Sequence, residues 1–336
     1  MKLVAISYPA CLILIALLFR WVGERWWATG VGLYLPRLGF AAPLPFVVAG
    51  LLVLRLWRLL YTQLLAALIV LFPLMGFVLP FPKFADDKPR IRVLSFNVDS
   101  LAGGMDNILA EIDKFSPDLV FLQEVFVDQD TMAERLRTRY PSVTASRPQF
   151  MFASRFPVVS TEVPEKVEFE GRMRTARFTK QIVDTPLGRI ASYNVHPISP
   201  REGLAAVRGQ GVSHEVLSGG LFASARSTAM QEGSALRELQ IKAFADMASQ
   251  ESGPVVIAGD TNLPSQSFFL HHFLSSYSDG FSDAGWGFGY TFPSYRRAWM
   301  RIDRILANDA LRFVRFDVGQ SKASDHYCVV ADLQAR

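Results

Sequence analysis

Acidic residues are almost missing from the start of the chain: before Phe84, Glu24 stands alone against seven Lys and Arg. Cysteine is equally scarce, with only Cys11 and Cys328. One thiol lies in an apolar run and the other near the C-terminus, which excludes a disulfide-stapled scaffold and an all-thiolate zinc site. The uneven charge also excludes a simple reading of the formal +4. Residues 1–84 carry +6, so residues 85–336 carry about −2. A domain that grips nucleic-acid phosphates by counterion release carries a basic surface; this one, on average, does not.

What fills the first 84 residues is hydrocarbon. Three apolar runs occupy residues 3–19, 38–54 and 59–81. The first two are at the short end of what crosses a bilayer as a helix, and the third is comfortably long. Trp21, Trp26 and Trp27 sit with Arg20 and Arg25 after the first run, and Arg55, Trp57 and Arg58 follow the second. Such residues belong at a bilayer–water boundary. They favour three transmembrane helices over a cleaved signal peptide followed by buried helices. The expected organisation is a membrane anchor over 1–84 and a catalytic domain over 85–336. An odd number of spans puts that domain opposite the N-terminus. Lys2, Arg55 and Arg58 balance Arg20, Arg25 and Arg37, so charge does not choose the side.

Beyond the polar stretch 86–90 the pattern becomes short β runs interspersed with helices. Strands are predicted at 91–97, 118–124, 151–154, 174–183, 189–194, 255–258, 301–306 and 329–333, and helices at 105–115 and 236–249. Many strands with few crossover helices suggest α/β layers in which two sheets pack face to face with helices outside. The stretch 201–234, rich in Gly, Ser and Ala and containing His214, breaks this rhythm. A loop of that length is expected to be functional, as a flap over a site, or disordered.

Several predicted strands end in polar residues that packing alone would not select. Asn97 and Asp99 close the first, Glu124 the second, and His196 follows Asn194-Val195. Asp260 and Asn262 follow the strand 255–258, Asp303 lies in another, and Asp325-His326 precede the last. Ligands and catalytic groups gather where strands stop and loops begin. The set is oxygen-rich and sulfur-free, which suits Mg²⁺ or Mn²⁺ better than zinc.

Taken together and in this order, these motifs resemble the endonuclease/exonuclease/phosphatase superfamily over roughly residues 90–335. The resemblance implies a four-layer sandwich of two mixed sheets flanked by helices. It also implies roles. Glu124, Asn97 and Asp325 match the metal site, and Asp99 resembles a residue near it. Asp260 and Asn262 match the pair that positions the attacking water and the phosphate. His326 matches the histidine beside the scissile phosphorus, and Asp303 the carboxylate that orients it. His196 resembles the histidine that assists the leaving group in the sphingomyelinase and deoxyribonuclease branches. Two departures bear on substrate. Arg304 stands where many relatives carry Tyr or His and is a candidate phosphate ligand, as is Arg174 in the group Arg172, Arg174 and Arg177; a surface charge is the plainer alternative for each. His214, His271 and His272 match no motif.

Spans close to such a domain resemble bacterial membrane-anchored members of the superfamily, including the type associated with teicoplanin resistance. That likeness rests on the architecture and on His196-Pro197 with Ser199-Pro200. It implies the plasma membrane, an extracytoplasmic domain, and hydrolysis of a phosphoester or pyrophosphate on a lipid. The alternative is a membrane-tethered Mg²⁺-dependent nuclease, which the charge near −2 disfavours. A scaffold on a dead enzyme fold has no support, because every catalytic position holds a competent residue type.

Overall fold

Two faces of a strand normally meet two different environments, and here both are dry. In β1 (Arg90–Asn97), Ile91 and Val93 point one way and Leu94 and Phe96 the other, and all four are buried. A computed structural model describes residues 1–79, 87–164, 166–200 and 224–336 of the chain. In it β1 lies within a six-stranded mixed sheet with β2 (Leu119–Gln123), β3 (Ser142–Ser146), β4 (Phe150–Ser154), β13 (Leu311–Val318) and β14 (Val329–Ala335), in the order β13-β14-β1-β2-β4-β3.

A second six-stranded sheet contains β5 (Val158–Glu162), β8 (Phe178–Thr185), β9 (Gly188–Val195), β10 (Val255–Asp260), β11 (Ser278–Asp279) and β12 (Asp303–Ala307), in the order β11-β12-β10-β9-β8-β5. A small hairpin, β6 (Val167–Phe169) and β7 (Arg172–Arg174), stands apart. The inner faces of the two large sheets meet in one apolar cluster: Ile91, Val93, Phe121 and Val329 from the first, Ile190, Val256, Ala258 and Ile305 from the second. Phe121 and Phe152 contribute an edge-to-face pair at 4.9 Å. The outer faces are covered by helices. Helices α1 (Lys2–Trp21), α2 (Trp27–Tyr34), α3 (Pro43–Val53) and α4 (Leu60–Ile69) come first in the chain. Further along, α5 (Met105–Phe115) and α6 (Gln129–Arg137) cover the first sheet, while α7 (Ser224–Ser249) and α8 (Phe268–Phe273) cover the second. The four layers are those expected.

Each sheet's period-two pleat is what aims the site. On the inner face β1 runs Ile91, Val93, Ser95, Asn97, and β2 runs Leu119, Phe121, Gln123. The series from β9 is Ile190, Ser192, Asn194 and then His196, and that of β10 is Val256, Ala258, Asp260. Apolar residues give way to small polar ones and then to ligands at one end of the sandwich. Halfway along, Gln123 Nε2 donates to Asn194 Oδ1 (2.8 Å), and Asn194 Nδ2 donates to the carbonyls of Leu122 and Met151 (3.1 Å each). These bonds fasten the sheets together just beneath the polar end. Gly259 lets β10 and β9 close up there: a Cβ would lie 1.9 Å from the Val195 carbonyl.

The N-terminal helices give two candidate spans, or three if a bent pair counts as one, against the three expected. Among the described residues, two helical segments are long and apolar enough to cross a membrane, Lys2–Trp21 and Trp57–Leu74. The latter comprises α4 with a 3₁₀ turn before it and a π turn after it. The second run, 38–54, is α-helical only over α3, which at 11 residues reaches about 16 Å at 1.5 Å per residue, with a 3₁₀ segment, Arg37–Ala41, before it. It pairs with α2 across a 94° bend, so that a third crossing is at most a broken one. The seam between α1 and α4 is tight and partly polar: Gln63 Nε2 donates to the Ala5 carbonyl at 3.0 Å. Large apolar side chains on these helices, such as Leu3, Ile6, Leu14 and Leu64, are exposed.

Other departures are local. The predicted strand 174–183 divides into β7 and β8, because Arg177 adopts a left-handed φ of 56° between them. The predicted helix 236–249 begins at Ser224. Of the stretch 201–234, residues 201–223, and with them His214, lie outside the described residues.

Candidate active site at the end of the sandwich

Three loops leave the polar end of the sheets through left-handed backbone at non-glycine residues. Asp99 follows β1 with φ 45°, Glu124 follows β2 with φ 57°, and Asn262 follows β10 with φ 53°. Side chains bearing Cβ disfavour this region, and such strain collects at sites where geometry must be imposed. The three turns face one another across a cavity of about 520 Å³ lined by Asp99, Glu124, His196, Asp260, Asn262, Asp325 and His326, among others.

Asp260 lies at the centre of the polar groups. Asn97 Nδ2 donates to Asp260 Oδ2 (3.2 Å) and to Glu124 Oε1 (3.0 Å), bridging two carboxylates. The Nε2 atoms of His196 and His326 each lie 3.7 Å from Asp260 Oδ2, and His196 Nε2 lies 3.4 Å from Glu124 Oε1. The Asn262 backbone N–H donates to Asp260 Oδ1 at 2.9 Å. His326 is oriented by Asp303, whose Oδ2 pairs with Nδ1 at 2.9 Å, and both residues are buried. Phe292 packs against the His326 ring at 4.7 Å. His196 is held in turn by Gln149, Nδ1 to Oε1 at 2.7 Å. Ser324 fastens the last loop to the first strand, donating to the Asn97 carbonyl at 2.7 Å.

The electrostatics follow from burial and crowding. Burial holds the Asp260 carboxyl above the ordinary carboxylate range; Asp303 and Glu124 add to the rise, while the His326 imidazolium opposes it. Burial alone would lower the His326 imidazole, but Asp303 and Asp260, with Asp325 beyond them, raise it to about 10. It is a cation at neutral pH. His271 is the reverse case, pushed down to about 4 by burial, and bonds through Nε2 to the Ser265 carbonyl away from the cavity.

The donor set fits a hard divalent cation. Glu124, His196 and Asp260 each offer a ligand atom, and these atoms lie within 4.8 Å of one another; Asp260, Asp303 and His326 form a second such group. Carboxylates packed this closely repel unless a cation or proton intervenes. Asp303 Oδ1 is buried without a hydrogen-bond partner.

Of the residues singled out in the sequence, Asn97, Glu124, His196, Asp260, Asn262, Asp303, Asp325 and His326 converge here. The two arginines do not. Arg304 is fully buried on the other face of β12, where its guanidinium bonds to Asp279, to the Leu263 carbonyl (2.9 Å) and to the Arg301 carbonyl (3.2 Å). The candidate role as a phosphate ligand is corrected accordingly: one step along a strand reverses the direction of the side chain. Arg174, exposed on β7, lines an adjoining cavity of about 350 Å³ that shares Tyr34, Ser199 and Pro200 with the first.

Sequence reasoning missed two residues. Gln149 lacks any motif and acts through its bond to His196. Tyr34 comes from the anchor: it lines the catalytic cavity, and its hydroxyl donates to the Asn262 carbonyl at 2.9 Å.

Two carboxylates bridged by an amide, a cationic histidine on an aspartate and a second histidine opposite define a metal-dependent phosphoesterase. The chain belongs to the Endonuclease/Exonuclease/phosphatase family, whose model matches residues 94–326. No curated protein sequence matches it. Among solved structures it is similar to an endonuclease/exonuclease/phosphatase from Beutenbergia cavernae, with a TM-score of 0.52 and 19% identity over 73% of this chain and 72% of that one. It is also similar to one from Bacteroides vulgatus, with a TM-score of 0.52 and 17% identity over 74% and 100% of the two chains. A humanized D. rerio TDP2 gives a TM-score of 0.51 and 16% identity over 73% and 99%. At these identities the likeness concerns the fold.

Proposed function

We propose that the chain is a membrane-anchored phosphohydrolase that cleaves a phosphoester or pyrophosphate carried by a lipid. One observation carries this reading. The cavity that holds Glu124, Asp260 and His326 is walled on its other side by Tyr34, Phe292, Trp299 and Met300. Met300 packs in turn on the apolar cluster of the N-terminal helices, which includes Leu12, Phe19, Leu33 and Leu74. A phosphate centre that opens on an apolar wall shared with the N-terminal apolar helices suits a substrate with a polar head and a hydrocarbon tail. A charge near −2 on residues 85–336 supports the same choice over nucleic acid.

The chemistry divides among the residues as follows. Glu124, with Asn97 and Asp325 beside it, would hold Mg²⁺ or Mn²⁺, which when bound supplies charge against the non-bridging phosphate oxygens. Asp260 accepts the proton of the attacking water, and Asn262 fixes the loop on which it sits. His326, cationic through Asp303, neutralises charge that develops on the phosphate. His196, held by Gln149, faces the same space and serves the leaving oxygen. Arg174 meets only a substrate that extends into the adjoining cavity. The membrane-anchored branch associated with teicoplanin resistance combines these features, and with it go a bacterial plasma membrane and an extracytoplasmic catalytic domain.

A panel of phospholipids, polyprenyl pyrophosphates and plasmid DNA, each assayed with Mg²⁺ and with Mn²⁺, tests the reading. Turnover of a lipid with little nicking of DNA is the expected result. Robust nicking that is abolished by Asp260→Ala would replace the lipid with nucleic acid.

A further inference from the structure

The anchor touches the catalytic part at more places than a tether requires. The Phe268 backbone N–H donates to Glu24 Oε2 at 3.0 Å, and Ser234 Oγ to the Glu24 carbonyl at 2.8 Å. Tyr290 OH donates to the Met75 carbonyl at 2.9 Å, and Val78 and Gly287 exchange a pair of backbone bonds. Gln266 donates to the Pro73 carbonyl. Glu24 and Ser234 line the adjoining cavity rather than the catalytic one. The bond from Tyr34 reaches the Asn262 peptide itself, two residues from Asp260.

Tyr34 ends α2, the segment before the bend of the broken span. It is 8% exposed, so its hydroxyl has little access to water as an alternative partner. The acceptor is the carbonyl of Asn262, the residue with the left-handed φ of 53°. That peptide sits between two functional contacts: the Asn262 N–H to Asp260 Oδ1, and Asn262 Nδ2 to the Pro197 carbonyl at 3.1 Å. Arg237 joins from α7, donating to the Tyr34 hydroxyl at 3.4 Å and to the Ile198 carbonyl at 2.7 Å. The loops after β9 and β10 thus meet at Tyr34, in addition to the contacts that Gln240 and Arg304 give them. A strained peptide keeps its direction only where its surroundings over-determine it.

We infer that Tyr34 is a positioning residue: its hydroxyl fixes the Asn262 peptide, so that the membrane anchor completes the catalytic loop as well as retaining the domain at the bilayer. The inference rests on the assignment of Asp260 and Asn262 to the reaction and is independent of whether the substrate is a lipid. It makes catalysis sensitive to how α2 is seated at the membrane surface.

The anchor supplies its own control. Tyr8 OH donates to the Phe40 carbonyl at 2.6 Å, a bond of the same kind made wholly within the anchor. The test compares Tyr34→Phe and Tyr8→Phe in the full chain in detergent micelles, with bis(4-nitrophenyl) phosphate as a soluble probe and Mg²⁺ or Mn²⁺ present. Tyr34→Phe keeps the ring and removes one oxygen; kcat is expected to fall about tenfold, with KM within about twofold and the melting temperature close to that of the parent, as for a lost positioning bond. Tyr8→Phe is expected to leave kcat unchanged. Equal kcat in all three proteins, or the same loss in both variants, overturns the inference. Asp260→Ala run in parallel separates the two levels, since full activity there would remove the catalytic assignment beneath it.

Discussion

Asp303 and Arg304 are neighbours on β12, yet they belong to two ionic clusters that behave in opposite ways. Asp303 points between the sheets and pairs with His326, beside Asp260 and the cavity. Arg304 points outward and pairs with Asp279, which Arg301 also grips at 2.8 Å through both oxygens. Burial would raise the Asp279 carboxyl, but Arg301 and Arg304, with the backbone N–H groups of Ser282 and Phe281, hold it below its ordinary value. The outer cluster sets one carboxylate between two arginines, so its carboxylate is fully paired, although the Nε atoms of Arg301 and Arg304 are buried without a hydrogen-bond partner. The inner one crowds carboxylates without enough cations of its own, and that shortfall is what makes it a candidate to hold metal and water. Charged residues one step apart on β12 thus enter a paired cluster on one face and the carboxylate-rich cluster beside the cavity on the other.

If the comparison is right, substitutions on the two faces have opposite signatures. The largest effect is expected for Asp260→Asn. Loss of the group that accepts the water's proton should cut kcat by about 10³–10⁴-fold, within the range general-base removal shows. Stability of the metal-free protein should hold or rise, because a buried carboxylate near Glu124 and Asp303 has been neutralised. Chelation should mimic the loss of activity, and added Mg²⁺ or Mn²⁺ should reverse chelation but not the substitution. Steady-state kinetics beside thermal melting read both, and a variant that melts earlier while turning over normally would reverse the assignment.

Next in size is Arg304→Ala, which leaves Asp279 with one buried partner fewer. Breaking one side of a buried pair costs about 3–5 kcal/mol, and the loss should appear in denaturant or thermal unfolding. Whatever protein remains folded should keep its KM for a soluble phosphodiester. A raised KM with unchanged stability would return Arg304 to the substrate.

The sandwich was legible because its strands obey a simple period and end in residues that packing does not explain. The pleat that hides Ile91 and Val93 also aims Asn97, so strand and ligand are read from the same alternation. Arg304 shows where that reading stops: a site residue and a strut can be adjacent letters, and only the register of β12 against β10, with Asp303 opposite Asp260, tells them apart. Gln149 and Tyr34 were beyond reach for another reason. Their partners lie 47 and 228 positions away, and nothing local marks a glutamine or tyrosine as the far end of such a bond. In the anchor, hydropathy reports burial in lipid or protein alike, so the second run looked like a plain span although α2 and α3 bend by 94° and α2 turns toward the catalytic loops.

The smallest of these effects concerns pH and is the most direct test of the inner cluster. Burial opposes protonation of His326, and the neighbouring carboxylates outweigh it and raise the imidazole to about 10. A raised histidine is charged below that value, so a step that needs the cation persists through neutral pH and fails as pH rises through about 10. The same sign applies to stability: the contribution is complete below the unfolded value near 6.5 and disappears as pH climbs through the folded one. Asp303→Asn keeps a hydrogen-bonding side chain at Nδ1 but removes the charge. The alkaline limb of the kcat profile should therefore move toward neutral pH, and kcat at pH 7 should fall by about 10-fold to 10²-fold, within what an orienting carboxylate contributes. On the outer face the neutral variant Asp279→Asn should leave the alkaline limb where it is. If both variants shift the limb alike, the two clusters are electrostatically one, and the division drawn along β12 is wrong.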